Sequence, residues 1–112
     1  MKRLSLAAAA VAAGIAFSMS ASAAPDADAA QKLAKASGCM ACHAVDKTKK
    51  GPSFQKTAAK YKGQADAEAK LTQMVTTSPK VKFEDGTEEE HGAVKTKDAA
   101  QVKNLVQWIL SQ

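Results

Sequence analysis

The stretch Gly38-Cys39-Met40-Ala41-Cys42-His43 holds the only two cysteines of the 112-residue chain and one of its two histidines, the other being His91. Two thiols three positions apart, with an imidazole directly after the second, fit several chemistries. A C-x-x-C redox pair belongs beside a βαβ pattern, and no segment here reads as a convincing strand. A structural zinc site takes four Cys or His ligands, which would consume Cys39, Cys42, His43 and His91 together. A plain disulfide leaves the following histidine without a role. Covalent attachment of a c-type haem uses every part of the motif. On one helical turn both thiols reach the two vinyl groups, and the adjacent imidazole lies under the iron as its proximal ligand.

Upstream of the motif, Lys2 and Arg3 precede an apolar run from Leu4 to Phe17, and Ala21-Ser22-Ala23 offers an A-x-A cleavage site. This is the shape of a secretory signal peptide, and the run is shorter than the roughly 20 residues a membrane span needs. Residues 1–23 are therefore expected to be a signal peptide cleaved near Ala23, and residues 24–112 one small exported domain, periplasmic and without stable membrane insertion. Loss of Lys2 and Arg3 takes the formal net charge from +5 to +3 and leaves no arginine. Specific contacts to phosphates and guanine lean on the arginine fork, so nucleic acid is not an expected partner. A domain of this size often needs a staple, metal or cofactor to be stable, and a tethered macrocycle would supply apolar bulk.

The apolar period predicts an all-α domain of four or so short helices. Asp28 to Ser37 reads as an alanine-rich helix stopped by Gly38, and residues 44–52 as a loop closing on Gly51-Pro52. Ser53 caps a helix with Phe54, Ala58 and Tyr61 on one face, which Gly63 breaks; another follows with Ala67, Leu71, Met74 and Val75. Ser78 to Val94, with Pro79, Gly86 and Gly92, reads as one irregular loop. Thr96 or Asp98 then caps a last helix whose stripe is Val102, Leu105, Val106 and Ile109, with Asp98 and Gln101 resembling a capping box.

GCMACHAVDK, GPSFQKTAAKYKGQ, DAEAKL and the terminal LVQWILSQ resemble corresponding segments of the short bacterial class I cytochromes c, in particular the small periplasmic electron carriers of pseudomonad type. The resemblance covers nearly the whole of residues 24–112. It implies a class I cytochrome c fold around one covalently attached haem c, with Cys39 and Cys42 as thioether residues and His43 as proximal ligand. It also implies that the Pro52 carbonyl accepts the second imidazole N–H, and that the first and last helices cross near Gly38 with Leu33, Leu105 and Trp108 in the contact.

The chain departs from that family at one position. The relatives carry an axial methionine in the loop before the last helix, and this loop has none. It has His91, and imidazole is a good iron ligand, so His91 is the expected sixth ligand. Met74, which falls in a packing stripe, is the lesser alternative, beside a lysine, water or an open position. A histidine in that place lowers the reduction potential relative to a thioether, and Glu84, Asp85, Glu88, Glu89 and Glu90 would push the same way if close.

The expected function is that of a monomeric periplasmic electron carrier, with no catalytic residues, meeting redox partner proteins. Lys47, Lys49, Lys50, Lys56 and Lys60 could steer an acidic surface on such a partner. The alternative is a module that binds or senses nitric oxide or carbon monoxide, with His91 displaceable or the sixth position open.

Overall fold

The structure, a computed structural model, describes residues 13–14 and 24–112; the expected signal peptide and its cleavage site otherwise lie outside the described residues. Three of the four α-helices described begin where the sequence supplies a side-chain acceptor for orphaned backbone N–H groups. The Asp26 carboxylate accepts from the Ala29 N–H at 3.1 Å and opens α1, Ala27–Ala36. The Ser53 hydroxyl accepts from the Lys56 N–H at 3.0 Å and opens α2, Phe54–Tyr61. Asp66 precedes α3, Ala67–Thr76, but its carboxylate pairs with Lys70 at 3.2 Å and caps no N–H. Asp98 opens α4, Ala99–Leu110, by accepting from the N–H groups of Ala100 and Gln101. The capping box expected there does not close, because the Gln101 side chain accepts from the Thr96 hydroxyl instead, at 2.9 Å.

Helix α4 is the hub, packing against α1, α2 and α3. Its stripe of Val102, Leu105, Val106 and Ile109 is buried as the period predicts, and Trp108 joins it. Burying each such aliphatic side chain is worth about 1.5–3 kcal/mol. Trp108 meets Phe54 edge-on at 5.5 Å between ring centroids, a geometry that adds about 0.5–1.5 kcal/mol beyond area. Helix α1 contributes Ala30 and Ala34, both wholly buried, and small side chains let two helices approach closely. The ties between α1 and the α4 region sit at either end of this alanine face: the Asp26 backbone with the Asn104 side chain, and the Ser37 hydroxyl with the Lys95 N–H. A side chain built at Gly38 would meet no protein atom within 4 Å, and its left-handed backbone closes α1 as a glycine C-cap does.

A second difference lies in Ser78 to Val94, expected to be irregular. It contains an antiparallel hairpin of β1, Lys80–Lys82, and β2, Glu88–Glu90. Asp85-Gly86 makes the turn: Gly86 adopts a left-handed φ of 86°, and the Asp85 carboxylate accepts from the N–H and hydroxyl of Thr87. The strands carry no alternation of apolar residues. Opposite charges instead face each other in register, Lys80 with Glu90 and Lys82 with Glu88, an arrangement that avoids the like-charge repulsion that destabilises directly opposed residues.

Candidate functional site

Helix α1 ends at Ser37, and the left-handed Gly38 (φ 76°) turns the chain into a single 3-10 turn, Cys39–Ala41. This is the conformation glycine adopts without the Cβ penalty. The Cys39 carbonyl accepts from the N–H groups of Cys42 at 3.2 Å and His43 at 3.0 Å, so both cysteines and the histidine belong to one tight turn. Both thiols are free and half-buried. Burial pushes the Cys39 thiol above its usual range, opposed by a backbone hydrogen bond and reinforced by Cys42.

The loop after His43 folds back onto the motif. The Gly51 N–H donates to the Cys42 carbonyl at 2.7 Å, the Phe54 N–H to Ala44, and the Lys49 ammonium to the Met40 carbonyl at 2.7 Å. The loop thereby places the Pro52 carbonyl 2.7 Å from His43 Nδ1. A carbonyl can only accept, so the proton sits on Nδ1 and Nε2 keeps a free lone pair. Gly51 lies flat against the same ring, where a Cβ would come within 2.5 Å of Cε1. Phe54 stacks on the ring at 5.4 Å and 22°, which couples the imidazole to the core through Trp108.

His91 arrives from the other side, on the residue that follows β2. Its N–H donates to the Pro79 carbonyl at 2.8 Å and extends the hairpin ladder by one rung. Beyond it the Val94 N–H donates to the Val75 carbonyl at the end of α3. His91 Nδ1 donates to the Gly92 carbonyl at 2.8 Å, which again leaves Nε2 free. The two imidazole centroids stand 6.1 Å apart, with planes tilted by 43°. Thus the fold brings together the two histidines that lie 48 residues apart in the chain.

Met74 is half-buried and stands outside the core cluster to which its neighbours Leu71 and Val75 belong, so the packing role expected of it is not what the structure shows. Among the described residues no three His, Cys, Asp or Glu side chains converge as ligands for a bare metal ion, which removes the zinc reading. The acids near His91 are exposed and stand opposite Lys80 and Lys82 in the hairpin, while Glu89 also meets Lys50 at 3.9 Å. One residue escaped the sequence reading: Gly51, taken only as part of a loop end, lies against the His43 ring, and the one available signal was a glycine preceding the proline of the loop. Lys50, expected only at a docking surface, also bridges two segments.

Free thiols on one turn, two imidazoles facing a common space and four helices of mixed length around a small core define a small all-α protein built for a covalently bound haem. The cytochrome c family model matches residues 27–112. Cytochrome c-551 of Pseudomonas aeruginosa is 36% identical over 84 residues, spanning 71% of this chain and 73% of that protein. Cytochrome c-551 of Allochromatium vinosum is 37% identical over 87 residues, spanning 78% and 89%. Among solved structures, the class 1 cytochrome MtoD of Sideroxydans lithotrophicus superposes with a TM-score of 0.75 at 55% identity, covering 79% of this chain and 97% of that one. The chain belongs to the cytochrome c family, as a small class I c-type cytochrome. Its cofactor is one covalently attached haem c, and its role is electron transfer with redox partners.

Proposed function

We propose that this cytochrome is a periplasmic electron carrier of lowered potential whose iron is held by His43 and His91, with Cys39 and Cys42 as the thioether residues. The observation that carries the reading is the pair of imidazoles. Each spends its Nδ1 proton on a backbone carbonyl, and their centroids stand 6.1 Å apart. Nε2 of each ring, left with its lone pair, would be the atom offered to the iron. The bound haem supplies the electron store, through the change between ferrous and ferric iron.

The protein's own part is to fix and tune. Hydrogen bonds from Nδ1 to carbonyls set the tautomer and raise the basicity of each ring, which favours the ferric state. Two such imidazoles, in place of one imidazole and one thioether, lower the potential within the range of about 0.8 V that axial ligands govern. The exposed acids of the hairpin would push the same way. Exposed Lys47 and Lys56 supply a positive surface for an acidic partner, giving association that weakens with salt. Export follows from the leader over residues 1–23, with cleavage near Ala23.

Near-infrared magnetic circular dichroism of the ferric holoprotein beside His91→Ala tests the ligation. The expected result is a bis-imidazole charge-transfer band that the substitution abolishes. A thioether band, or a spectrum the substitution leaves unchanged, would remove His91 from the iron.

A further inference from the structure

Among the described residues two ion pairs form, and they differ in kind. Lys70 and Asp66 are neighbours on α3, whereas Lys50 and Glu89 join two segments far apart in the chain. Lys50 lies on the loop that delivers the Pro52 carbonyl to His43. Glu89 lies on β2, two residues before His91. The Lys50 ammonium also sits 5.8 Å from the centre of the Phe83 ring, at the far end of β1. One side chain from the loop behind the first imidazole thus touches both strands of the hairpin that ends in the second.

The two segments face each other across an open cleft of about 370 Å³, lined by Thr48, Lys49, Lys50, Gly51 and Pro52 on one wall and by Lys82 to Asp85 on the other, and the Lys50 contacts span it. Among the described backbone hydrogen bonds, His91 to Pro79 closes the base of the hairpin and Val94 to Val75 ties it to α3.

We propose that Lys50 is a positioning residue for the sixth ligand: by holding Glu89 and the face of Phe83 it restrains the hairpin and so retains His91 at the iron. This rests on the bis-histidine reading given above. Lys50 touches neither imidazole in any described contact, and it acts through the hairpin. The ion pair is solvent-exposed and Phe83 only half-buried, and ion pairs and cation–π contacts so placed are individually weak. The expected effect is accordingly a several-fold change in the lability of His91, without change of fold.

The test uses the ferric holoprotein and cyanide as the probe, at concentrations where binding is limited by departure of the sixth ligand. In Lys50→Met, which keeps the stem and drops the charge, the limiting rate should rise about three- to fivefold. Lys50→Arg, which restores both the charge and the stacking on Phe83, should return it to the parent value. The denaturation midpoint should be unchanged in both variants. In the parent protein, salt at about 1 M, where the screening length is about 3 Å, should move the rate toward that of Lys50→Met. An unchanged cyanide rate in Lys50→Met, with the parent showing a bis-imidazole band, overturns the clasp alone. A parent without that band overturns the ligation, and the clasp with it. A rate increase matched by a lowered denaturation midpoint, and not rescued by arginine, would reduce Lys50 to a general structural contact.

Discussion

His43 and His91 are presented by opposite means. The His43 ring is over-determined: the Pro52 carbonyl holds its Nδ1, Gly51 lies against its face, and Phe54 stacks on it from the buried core. The His91 ring is held by the carbonyl of its own neighbour, Gly92, at the foot of an exposed hairpin, and a side chain built at Gly92 would meet nothing within 4 Å. One side is a fixture of the core and the other a fixture of a loop. Stability and ligand retention should therefore be separable here, with substitutions on the first side costing the fold and those on the second costing only the sixth ligand.

The largest expected effect is on the core side. Phe54→Ala removes the ring that joins His43 to Trp108 and should destabilise the protein by about 3–5 kcal/mol in denaturant unfolding, as for other buried aromatics. Its counterpart Phe83→Ala, half-buried on the hairpin, should cost under about 1 kcal/mol. Equal costs would erase the distinction between the two sides. The next contrast is between glycines. Gly51→Ala drives a methyl into the His43 imidazole and should cost about 1–3 kcal/mol by overpacking, with loss of the contact to Pro52. Gly92→Ala enters open space at an ordinary backbone angle and should change stability by no more than about 0.5 kcal/mol, or raise it through the unfolded state.

The smallest effect is a titration. Hydrogen bonds from the Thr87 hydroxyl and N–H hold the Asp85 carboxyl below its usual pKa. A carboxyl so lowered stabilises the hairpin turn above its unfolded value of about 3.9, and that contribution disappears as the pH falls through the lowered folded value. The Thr87 amide resonance should follow this titration at low pH while the signals of the His43 loop stay still. Movement of both together would show that the hairpin and the core loop are one cooperative unit.

The two sides also differed in how far they could be read from sequence. The helices were legible because their apolar spacing and caps are written locally: Ser53 before Phe54, and Asp98 before the stripe of Val102 to Ile109. The motif from Gly38 to His43 drew attention because few chemistries use two thiols and an imidazole so closely spaced. The hairpin escaped notice because Lys80–Lys82 and Glu88–Glu90 contain one apolar residue between them, so a search for alternating hydrophobicity finds nothing. What encodes it is a charge match across the turn, together with Asp85-Gly86, a strong hairpin signal by itself. Lys50 was read only as one of the lysines that could steer an acidic partner, since its contacts within the chain lie more than thirty residues away and only the fold supplies them. The placement of Met74 on the flank of its helix was likewise a matter of a few tens of degrees of rotation that spacing alone does not resolve.

The backbone of Asp26 and the side chain of Asn104 exchange two hydrogen bonds across 78 positions of sequence. The two ends of the domain are thereby fastened to each other. Ala30 and Ala34 are covered only when α1 and α4 are both in place, so a chain cut short of Asn104 would leave that alanine face bare and the cysteine turn that follows α1 without its support.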